Sequence, residues 1–574
     1  TLLEFERRGV EDGDLIKAKA QMETGFIFGL QSVAGKVSQL AANQTFTGDP
    51  NYITRDIARY AGVTKADVMR VYRRYIKDKH AVIMSIVPKG RQTAIAAADN
   101  FLPPERELAG NSQTSAADLQ LRQVSETLDR SKIPVAGANK AAALPAMWQQ
   151  TRANGIKILA SQSQETPTTS ILLKIPAGHY FEHKEKAGTA AILARMLNES
   201  TLKRSAEDMS KALQKLGSSV SVSAGDHYLR VHINTLTKNL DATLALVDEK
   251  LRQPAFKADE FDRVKNNAIE QVSNNKKDPG YLASTAYRRL LYGENIAATP
   301  RSGNEVSLSA LELADVRAFY RQHLQPFNSQ LIIVSDLPKT DLRSSLQYLD
   351  KWQGKGPELT LNLPLPDTQT GVIYLVHKDN APQSAIRIGK RALKFDITGE
   401  YYQSTLMNFP LGGAFNSRIN LNLREDKGYT YGARSGFSGD RLSGSFTASA
   451  QVRGDVTDKS IAELVKEIQH YGEHGITADE LAFMRNAINQ KDALKYETPR
   501  AKLAFLAQIL EYDLTPDFVR QREKIVSAIT AKEINALAQK HLNLKDMLMV
   551  VVGNSHKLKP ELEALGYQVI PYEI

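Results

Sequence analysis

Two groups of histidines have a spacing that could bind a metal ion. His470 and His474 are four residues apart and enclose Glu473, which gives the literal pattern H-x-x-E-H. Two histidines four apart lie on one helical face, where ring nitrogens can bind zinc and the glutamate can act as general base on a zinc-bound water. His179 and His183 have the same spacing, in a predicted loop.

The sequence around both groups argues against a metal site. Gly472 interrupts the pattern of the first group and Gly475 follows it, which is typical of a helix end with histidines placed near the C-terminus. His179 and His183 have no third ligand nearby in the sequence. We therefore predict that this chain binds no metal ion at either place.

The composition excludes several classes of protein. The chain has 574 residues, of which 42% are hydrophobic and 24% charged, as in folded globular proteins. It has no cysteine, which excludes disulfides, thiolate metal sites and cysteine nucleophiles. The net charge of +10 is spread without a basic block, so no nucleic-acid partner is predicted. No apolar run reaches about 18 residues, so no membrane-spanning segment is predicted.

An internal repeat indicates which elements build the chain. A shift of 466 residues aligns the N-terminal segment with the C-terminal one, for example Gly9 with Gly475, Lys36 with Lys502 and Pro50 with Pro516. A third copy lies between them, because residues 314–316 match 66–68. Each copy ends in an apolar run that predicts a buried strand, over residues 82–87, 331–334 and 548–552.

The pattern upstream of these runs predicts strands mixed with helices. In the middle copy we expect strands over 155–159, 169–175, 220–224 and 227–234, and helices over 186–198, 205–216, 238–252 and 257–275. In the last copy we expect strands over 372–376, 385–389 and 444–451, and a helix over 397–409. The predicted fold class is α+β: repeated mixed-sheet units with helices packed on one face, in two complete copies plus a partial one.

The repeat predicts the domain organisation. Residues 1–95 are the C-terminal part of a preceding unit, and residues 96–145, rich in Ala, Pro, Ser and Asn, are a linker. Residues 146–355 and 368–574 are complete units, joined by a shorter proline-containing linker. Because the first unit lacks its front half, we expect the parent chain to continue before Thr1.

Two segments of the complete copies resemble a known family. Residues 187–197, together with 412–418 and 423–432, resemble the pitrilysin/insulinase family of inverted-motif zinc peptidases. The resemblance covers essentially the whole chain, which is similar to the second half of a long bacterial member plus the tail of its first half. It implies a processing-peptidase-like metallohydrolase fold, in which two homologous halves close around a peptide substrate.

The resemblance implies that this copy is not catalytic. The family's zinc motif H-x-x-E-H matches Ala191, Ala194 and Arg195, none of which can bind zinc or accept a proton from water. The further acidic ligand would fall near Glu270, which alone cannot hold a metal ion. We expect zinc in the intact parent, in a copy before Thr1, and none in this chain.

The resemblance also implies two substrate-binding residues. Arg424 and Tyr431, seven residues apart, match a family pair that contacts the peptide. An arginine can bind a carbonyl or a carboxylate, and a tyrosine hydroxyl can donate to a developing oxyanion. The alternative is that Arg424 pairs with Glu425 or Asp426 and that Tyr431 packs in a strand.

The sequence is consistent with two functions. The first is part of a zinc-dependent metalloendopeptidase that degrades peptides in a closed two-half chamber, with this chain as the inactive half and the missing N-terminal half as its partner. The resemblance implies that the peptide is held by strand addition to a sheet edge. The second is a non-catalytic scaffold or peptide-binding subunit of the same fold. Long bacterial members are typically exported, so the resemblance implies the periplasm.

Overall fold

The structure is a computed structural model that describes residues 2–98, 100, 129, 132, 143–491 and 495–574. The predicted linker at 96–145 lies mostly outside the described residues. The chain divides into two compact units: residues 1–11 with 63–139, and residues 12–62 with 140–574. The predicted boundaries at 95, 146, 355 and 368 stay predictions.

The helices and strands follow one another in a repeating order. The first part contains α1 (Leu2–Arg8), α2 (Asp12–Gly29), α3 (Val33–Thr47), α4 (Ile53–Gly62) and α5 (Lys65–Tyr75). The middle part contains β1 (Met147–Thr151), β2 (Lys157–Gln162), β3 (Thr168–Ile175), α6 (Thr189–Met196), α7 (Ala206–Lys215), β4 (Ser219–Ala224), β5 (Leu229–Leu236), α8 (Leu240–Arg252), α9 (Ala258–Asn275), α10 (Pro279–Tyr292), α11 (Glu305–Ser309), α12 (Leu313–His323), β6 (Gln330–Ser335) and α13 (Lys339–Ser345). The last part contains β7 (Ile373–His377), β8 (Gln383–Ala392), α14 (Glu400–Asn408), α15 (Arg418–Asn420), β9 (Thr430–Gly439), β10 (Gly444–Arg453), α16 (Thr457–His474), α17 (Ala478–Lys491), α18 (Pro499–Tyr512), α19 (Phe518–Ala528), α20 (Ala531–His541), β11 (Leu548–Gly553), α21 (Ser555–Glu563) and β12 (Val569–Pro571).

The larger unit contains two six-stranded mixed sheets, which confirms the predicted α+β fold. Their strand orders are β1-β2-β6-β3-β5-β4 and β12-β7-β11-β8-β10-β9. The central strands β6 and β11 pair in parallel with β2 and β7 and antiparallel with β3 and β8. Every residue of β6 and β11 is buried, as their continuous apolar runs predicted.

A helix from the other copy covers the second face of each sheet. Helix α18 packs on β2, β3 and β6, where Leu506 and its neighbours meet Leu159 and Ile332. Helix α10 packs on β7, β8 and β11, and the Tyr287 hydroxyl donates to the Phe446 carbonyl at 2.9 Å. The sequence pattern predicted helices on one face of each sheet. In the structure each copy also contributes one helix, α10 or α18, to the other face of the other copy's sheet, which we call the helix exchange.

The smaller unit preserves helices of the same repeat but not its strand. Helix α5 begins with a capping box between Thr64 and Asp67, as α20 does with Thr530 and Glu533. The Phe5 ring packs edge-on against Tyr72 at 5.1 Å and joins α1 to α5.

The strand predicted over residues 82–87 is wrong. These residues form no strand, and Val82, Ile83, Met84 and Ile86 are all exposed. The equivalent strands β6 and β11 lie between two neighbours, whereas the described residues before 100 contain no strand that could pair with this run. Among the described residues, no helix has the length and hydropathy needed to cross a membrane.

Replacing Leu506 with alanine tests the exchanged helix. Leu506 is fully buried between α18 and the first sheet, so Leu506→Ala should lower the free energy of unfolding by about 2–5 kcal/mol. The control Leu202→Ala changes an exposed side chain and should stay within about 0.5 kcal/mol of the parent. Urea unfolding followed by circular dichroism measures both. Equal effects of the two changes would contradict the packing of α18 on this sheet.

Candidate functional site

Helix α6 carries the three positions where the resemblance places a zinc motif. Ala194 is buried, Ala191 is half-buried and Arg195 is exposed. Methyl groups have no lone pair, and a guanidinium stays positively charged, so none of the three can bind a metal cation. Glu270 lies on α9 with an exposed side chain. The residues of this helix therefore do not fit a zinc ion.

A buried carboxylate holds the N-terminus of α6 in place. Both Glu182 oxygens accept backbone hydrogen bonds, from Gly188 N at 2.8 Å and Ala190 N at 2.7 Å. The first turn of a helix leaves N–H groups without partners and carries positive potential. A carboxylate stabilises it both by accepting hydrogen bonds and by its negative charge. Glu182 is therefore a capping residue that no local pattern indicates, because it lies outside the helix in sequence.

His179 supports this carboxylate from the other side. Its Nδ1 lies 2.9 Å from Glu182 Oε2, and both side chains are fully buried. Its Nε2 faces two backbone carbonyl oxygens, of Ile296 and Thr299, each at 3.0 Å. Because carbonyls only accept, Nε2 carries a proton and donates to them. His183 is exposed, so the two histidines of this predicted loop pair lie in different environments.

The literal H-x-x-E-H lies at the end of α16. The rings of His470 and His474 stack at 4.4 Å, and Gly475 follows with φ of 73°. Arg418 Nη1 lies 3.4 Å from His470 Nδ1, and Glu473 accepts a hydrogen bond from Gln469 at 2.9 Å. A guanidinium beside a ring nitrogen opposes a metal cation there. No group of three metal-ligating side chains occurs within the residues that the structure describes.

Arg424 and Tyr431 both reach the surface near the outer strand β9. Arg424 Nε lies 3.2 Å from the Glu425 carboxylate, and its guanidinium lies over the Phe415 ring at 4.6 Å. The Tyr431 side chain, at the start of β9, is 92% exposed. An exposed ion pair contributes about 0–1 kcal/mol, so Arg424 can exchange Glu425 for a ligand. The substrate-binding roles of both residues stay predictions.

Two buried asparagines, which sequence reasoning missed, fix the segment that carries Arg424. Asn420 Nδ2 donates to the Phe415 carbonyl at 2.8 Å, and its Oδ1 accepts from Ala433 N at 3.0 Å. Asn408 Nδ2 donates to the Ser435 carbonyl at 2.8 Å. The sequence carries one signal for Asn408: within residues 406–409 it is a polar residue that stands among apolar residues at the end of a helix. Residues 409–426 are thereby attached to β9.

A cavity of about 450 Å³ lies beside the first sheet. Gln330 and His323 line it, each 5% exposed. Gln330 Oε1 and His323 Nδ1 have no hydrogen-bond partner within the described part of the chain. Burial, together with the charge of His183, lowers the pKa of His323 to about 4. His323 is therefore neutral at pH 7 and packs between Phe181 and Phe319.

Two descriptions of one peptidase family match this chain. Residues 157–300 match "Insulinase (Peptidase family M16)", and residues 310–488 match "Peptidase M16 inactive domain". Among similar proteins is "Non-peptidase homolog YmxG" of Helicobacter pylori, 23% identical over 70% of this chain and 93% of that protein. Another is "Uncharacterized zinc protease YmxG" of Bacillus subtilis, 21% identical over 61% of this chain and 85% of that protein.

Solved structures share the fold. A peptidase M16 inactive domain from Pseudomonas fluorescens has a TM-score of 0.66 and 23% identity to this chain. The matched part covers 71% of this chain and 98% of the Pseudomonas chain. The periplasmic protease PqqL of Escherichia coli has a TM-score of 0.59 and 17% identity, and covers 76% of this chain and 52% of its own.

Replacing Glu182 tests the buried pair. Glu182→Ala leaves His179 Nδ1 and two backbone N–H groups at the start of α6 without a partner, so it should lower the free energy of unfolding by about 3–5 kcal/mol. Glu185→Ala is the matched control, because Glu185 is exposed three residues later. Chemical unfolding of both variants measures the difference. A Glu182→Ala protein as stable as its control would contradict the capping role.

The pH dependence of stability tests His323. The folded state holds the pKa near 4, below the unfolded value of about 6.5, so the unfolded state binds more protons between these values. Stability should therefore fall as the pH drops from about 6.5 towards 4. His323→Leu should lose less stability over this range than the parent, whereas His556→Leu, at an exposed histidine, should behave like the parent. Thermal melts across this pH range provide the measurement, and identical pH slopes for all three proteins would refute the assignment.

Proposed function

Because the chain belongs to the insulinase (M16) family of peptidases, we propose that it supplies the inactive half of a zinc-dependent metalloendopeptidase that degrades peptides. In this proposal a catalytic half, which carries the intact zinc motif, pairs with this chain. A zinc ion held by that half would supply the activated water that peptide hydrolysis requires. The residues of this chain bind and orient the peptide.

The observation that carries this proposal is the chemistry of α6. The resemblance assigns the family's zinc motif to this helix, and Ala191, Ala194 and Arg195 offer neither a metal ligand nor a general base. The match of residues 310–488 to the family's inactive domain supports the same conclusion. Hydrolysis therefore requires groups from a partner, and this chain contributes surface and substrate contacts.

Arg424 and Tyr431 are the substrate contacts that we propose. Both side chains are accessible, and Asn420 and Asn408 hold the segment before β9 rigidly enough to present them. The Arg424 guanidinium can replace Glu425 with a peptide carbonyl or a C-terminal carboxylate. The Tyr431 hydroxyl can donate to the oxygen on which negative charge develops during hydrolysis.

A non-catalytic scaffold or peptide-binding subunit is the second candidate. It is favoured by the similarity to the Helicobacter pylori protein named a non-peptidase homolog, of which this chain covers 93%. For either function we propose the periplasm as the compartment, supported by the similarity to an Escherichia coli protease described as periplasmic.

Arg424→Ala in the full-length enzyme, with its catalytic half, tests the first candidate. The loss of charge-assisted hydrogen bonds should reduce kcat/KM for peptide cleavage by about 10- to 100-fold, with zinc content unchanged. Arg453→Ala is the matched control, an exposed arginine paired with Asp455 near the same sheet edge, and should cleave at the parent rate. Peptide cleavage and metal analysis on the same preparations provide both readouts.

Two outcomes would overturn parts of this proposal. Unchanged kinetics in Arg424→Ala would remove Arg424 from the substrate contacts. A full-length protein that binds peptides but neither contains zinc nor cleaves them would instead favour the scaffold.

A further inference from the structure

The cavity of about 450 Å³ beside the first sheet is lined by residues of both complete copies. The start of β6 and the residue before β5 supply one wall, at Gln330 and Tyr228. The turn between β9 and β10 supplies another at Arg441, and the end of α18 a third at Leu510. Residues 356–359, which connect the two copies, complete the lining. The cavity therefore forms only where both copies are folded and packed together.

Two buried polar atoms of this cavity are unpaired. Gln330 Nε2 donates to the Leu510 carbonyl at 3.0 Å, but no group of the described residues bonds to Gln330 Oε1 or to His323 Nδ1. Both side chains are 5% exposed. A buried polar atom without a hydrogen bond destabilises a fold, so such atoms are normally paired with a ligand or an ordered water. Because Gln330 Oε1 can only accept, it requires a donor from the occupant of the cavity.

The acceptors of the cavity lie at the C-terminal end of α18. Leu510, which binds Gln330 through its carbonyl, is in the last turn of this helix, and Asp513 follows the helix directly. The last carbonyls of a helix carry partial negative charge, which favours a positively charged group there. An ammonium group therefore fits this end of the cavity better than a neutral donor does.

Four charged side chains line the mouth of the cavity. They are exposed, and two are cations, Lys157 and Arg441, whereas two are anions, Glu358 and Asp513. Over the part of the chain that the structure describes, no salt bridge joins any of the four to another residue. Charges of both signs without partners complement a ligand that itself carries one positive and one negative group.

The interior of the cavity is apolar and aromatic. Phe181 packs edge-on against His323 at 5.3 Å, and Phe327, Leu442 and Leu510 also line the cavity. His323 is neutral at pH 7, so its ring adds no charge to this wall. The volume lies within the range of small-molecule sites, about 300–1,000 Å³. A large apolar side chain can therefore be buried here while charged groups stay near the mouth.

We propose that this cavity binds a free amino acid with a large apolar side chain, such as phenylalanine. The ammonium group donates to Gln330 Oε1 beside Asp513, and the carboxylate faces Arg441 and Lys157. The side chain packs against Phe181 and its neighbours. The site lies entirely in this chain and needs neither a catalytic half nor the substrate contacts proposed above, so it stands or falls independently of the proposed function.

Ligand binding to the 574-residue chain tests the proposal. The probe is L-phenylalanine, measured by titration calorimetry and by the shift of the thermal melt. Two analogues separate its charged groups, because 2-phenylethylamine lacks the carboxylate and 3-phenylpropionate lacks the ammonium. Each should bind at least about tenfold more weakly than L-phenylalanine, since each leaves a charge-assisted hydrogen bond unmade. Glycine, which has no side chain to bury, should also bind more weakly.

Two variants check where the amino acid binds. Gln330→Leu removes the buried acceptor at similar size and should weaken L-phenylalanine binding about tenfold or more. Arg441→Ala, at an exposed position that folding tolerates, should weaken L-phenylalanine binding about tenfold but leave the affinity for 2-phenylethylamine unchanged, because that analogue has no carboxylate. Arg453→Ala is the matched control, an exposed arginine outside the cavity, and should bind like the parent. Circular dichroism melts show that the variants are folded.

Three results would overturn the proposal. The first is a parent chain that does not bind L-phenylalanine at millimolar concentration, which would leave the cavity to water. The second is equal affinity for L-phenylalanine and both analogues, which would make the cavity a general apolar pocket. The third is binding that Gln330→Leu and Arg441→Ala both leave unchanged, which would place the ligand elsewhere on the chain.

Discussion

The position of helix α6 depends on one buried interaction, the pair of Glu182 and His179. A carboxylate without contact to water is stable here because it receives two N–H groups of α6 and the His179 ring, and because His179 in turn donates to two carbonyls. The network fixes where α6 begins. Since α6 packs against β4, it also fixes where the Asn198 side chain bonds to the backbone of Val222.

This network holds α6 in position without a metal ion. In a metal site the ion itself orients the ligands, so their loss would leave a helix free to shift. Here the N-terminus of α6 is held by Glu182, and its inner side chains, including Ile192, Leu193 and Met196, are fully buried in the core of the first sheet. The position of α6 therefore depends on hydrogen bonds and packing of this chain's own residues.

The two sheets present their outer strands in different ways although they share a topology. In the second sheet, buried amides occupy the edge of β9 and hold the segment with Arg424 and Tyr431 in place. In the first sheet, one exposed amide, that of Asn198, bonds to β4. Because α18 packs on the first sheet and α10 on the second, each sheet is held to a helix of the other copy. The buried Lys174 of β3 also pairs with Glu511 of α18 at 2.6 Å. Burial lowers the pKa of Lys174, which makes the partner on α18 necessary.

The sequence alone determined the repeat, the central strands and the helices that begin with capping boxes, such as the one between Thr530 and Glu533. It also determined the family resemblance and the absence of zinc ligands at Ala191, Ala194 and Arg195. These features depend on residues within a few positions of one another. Tertiary structure alone decided that residues 82–87 form no strand, that α10 and α18 exchange sheets, and that Asn198 and Asn408 bond to outer strands. The reason is that a strand or a buried amide is stable only with its partner in place, and these partners lie up to hundreds of residues away in the chain.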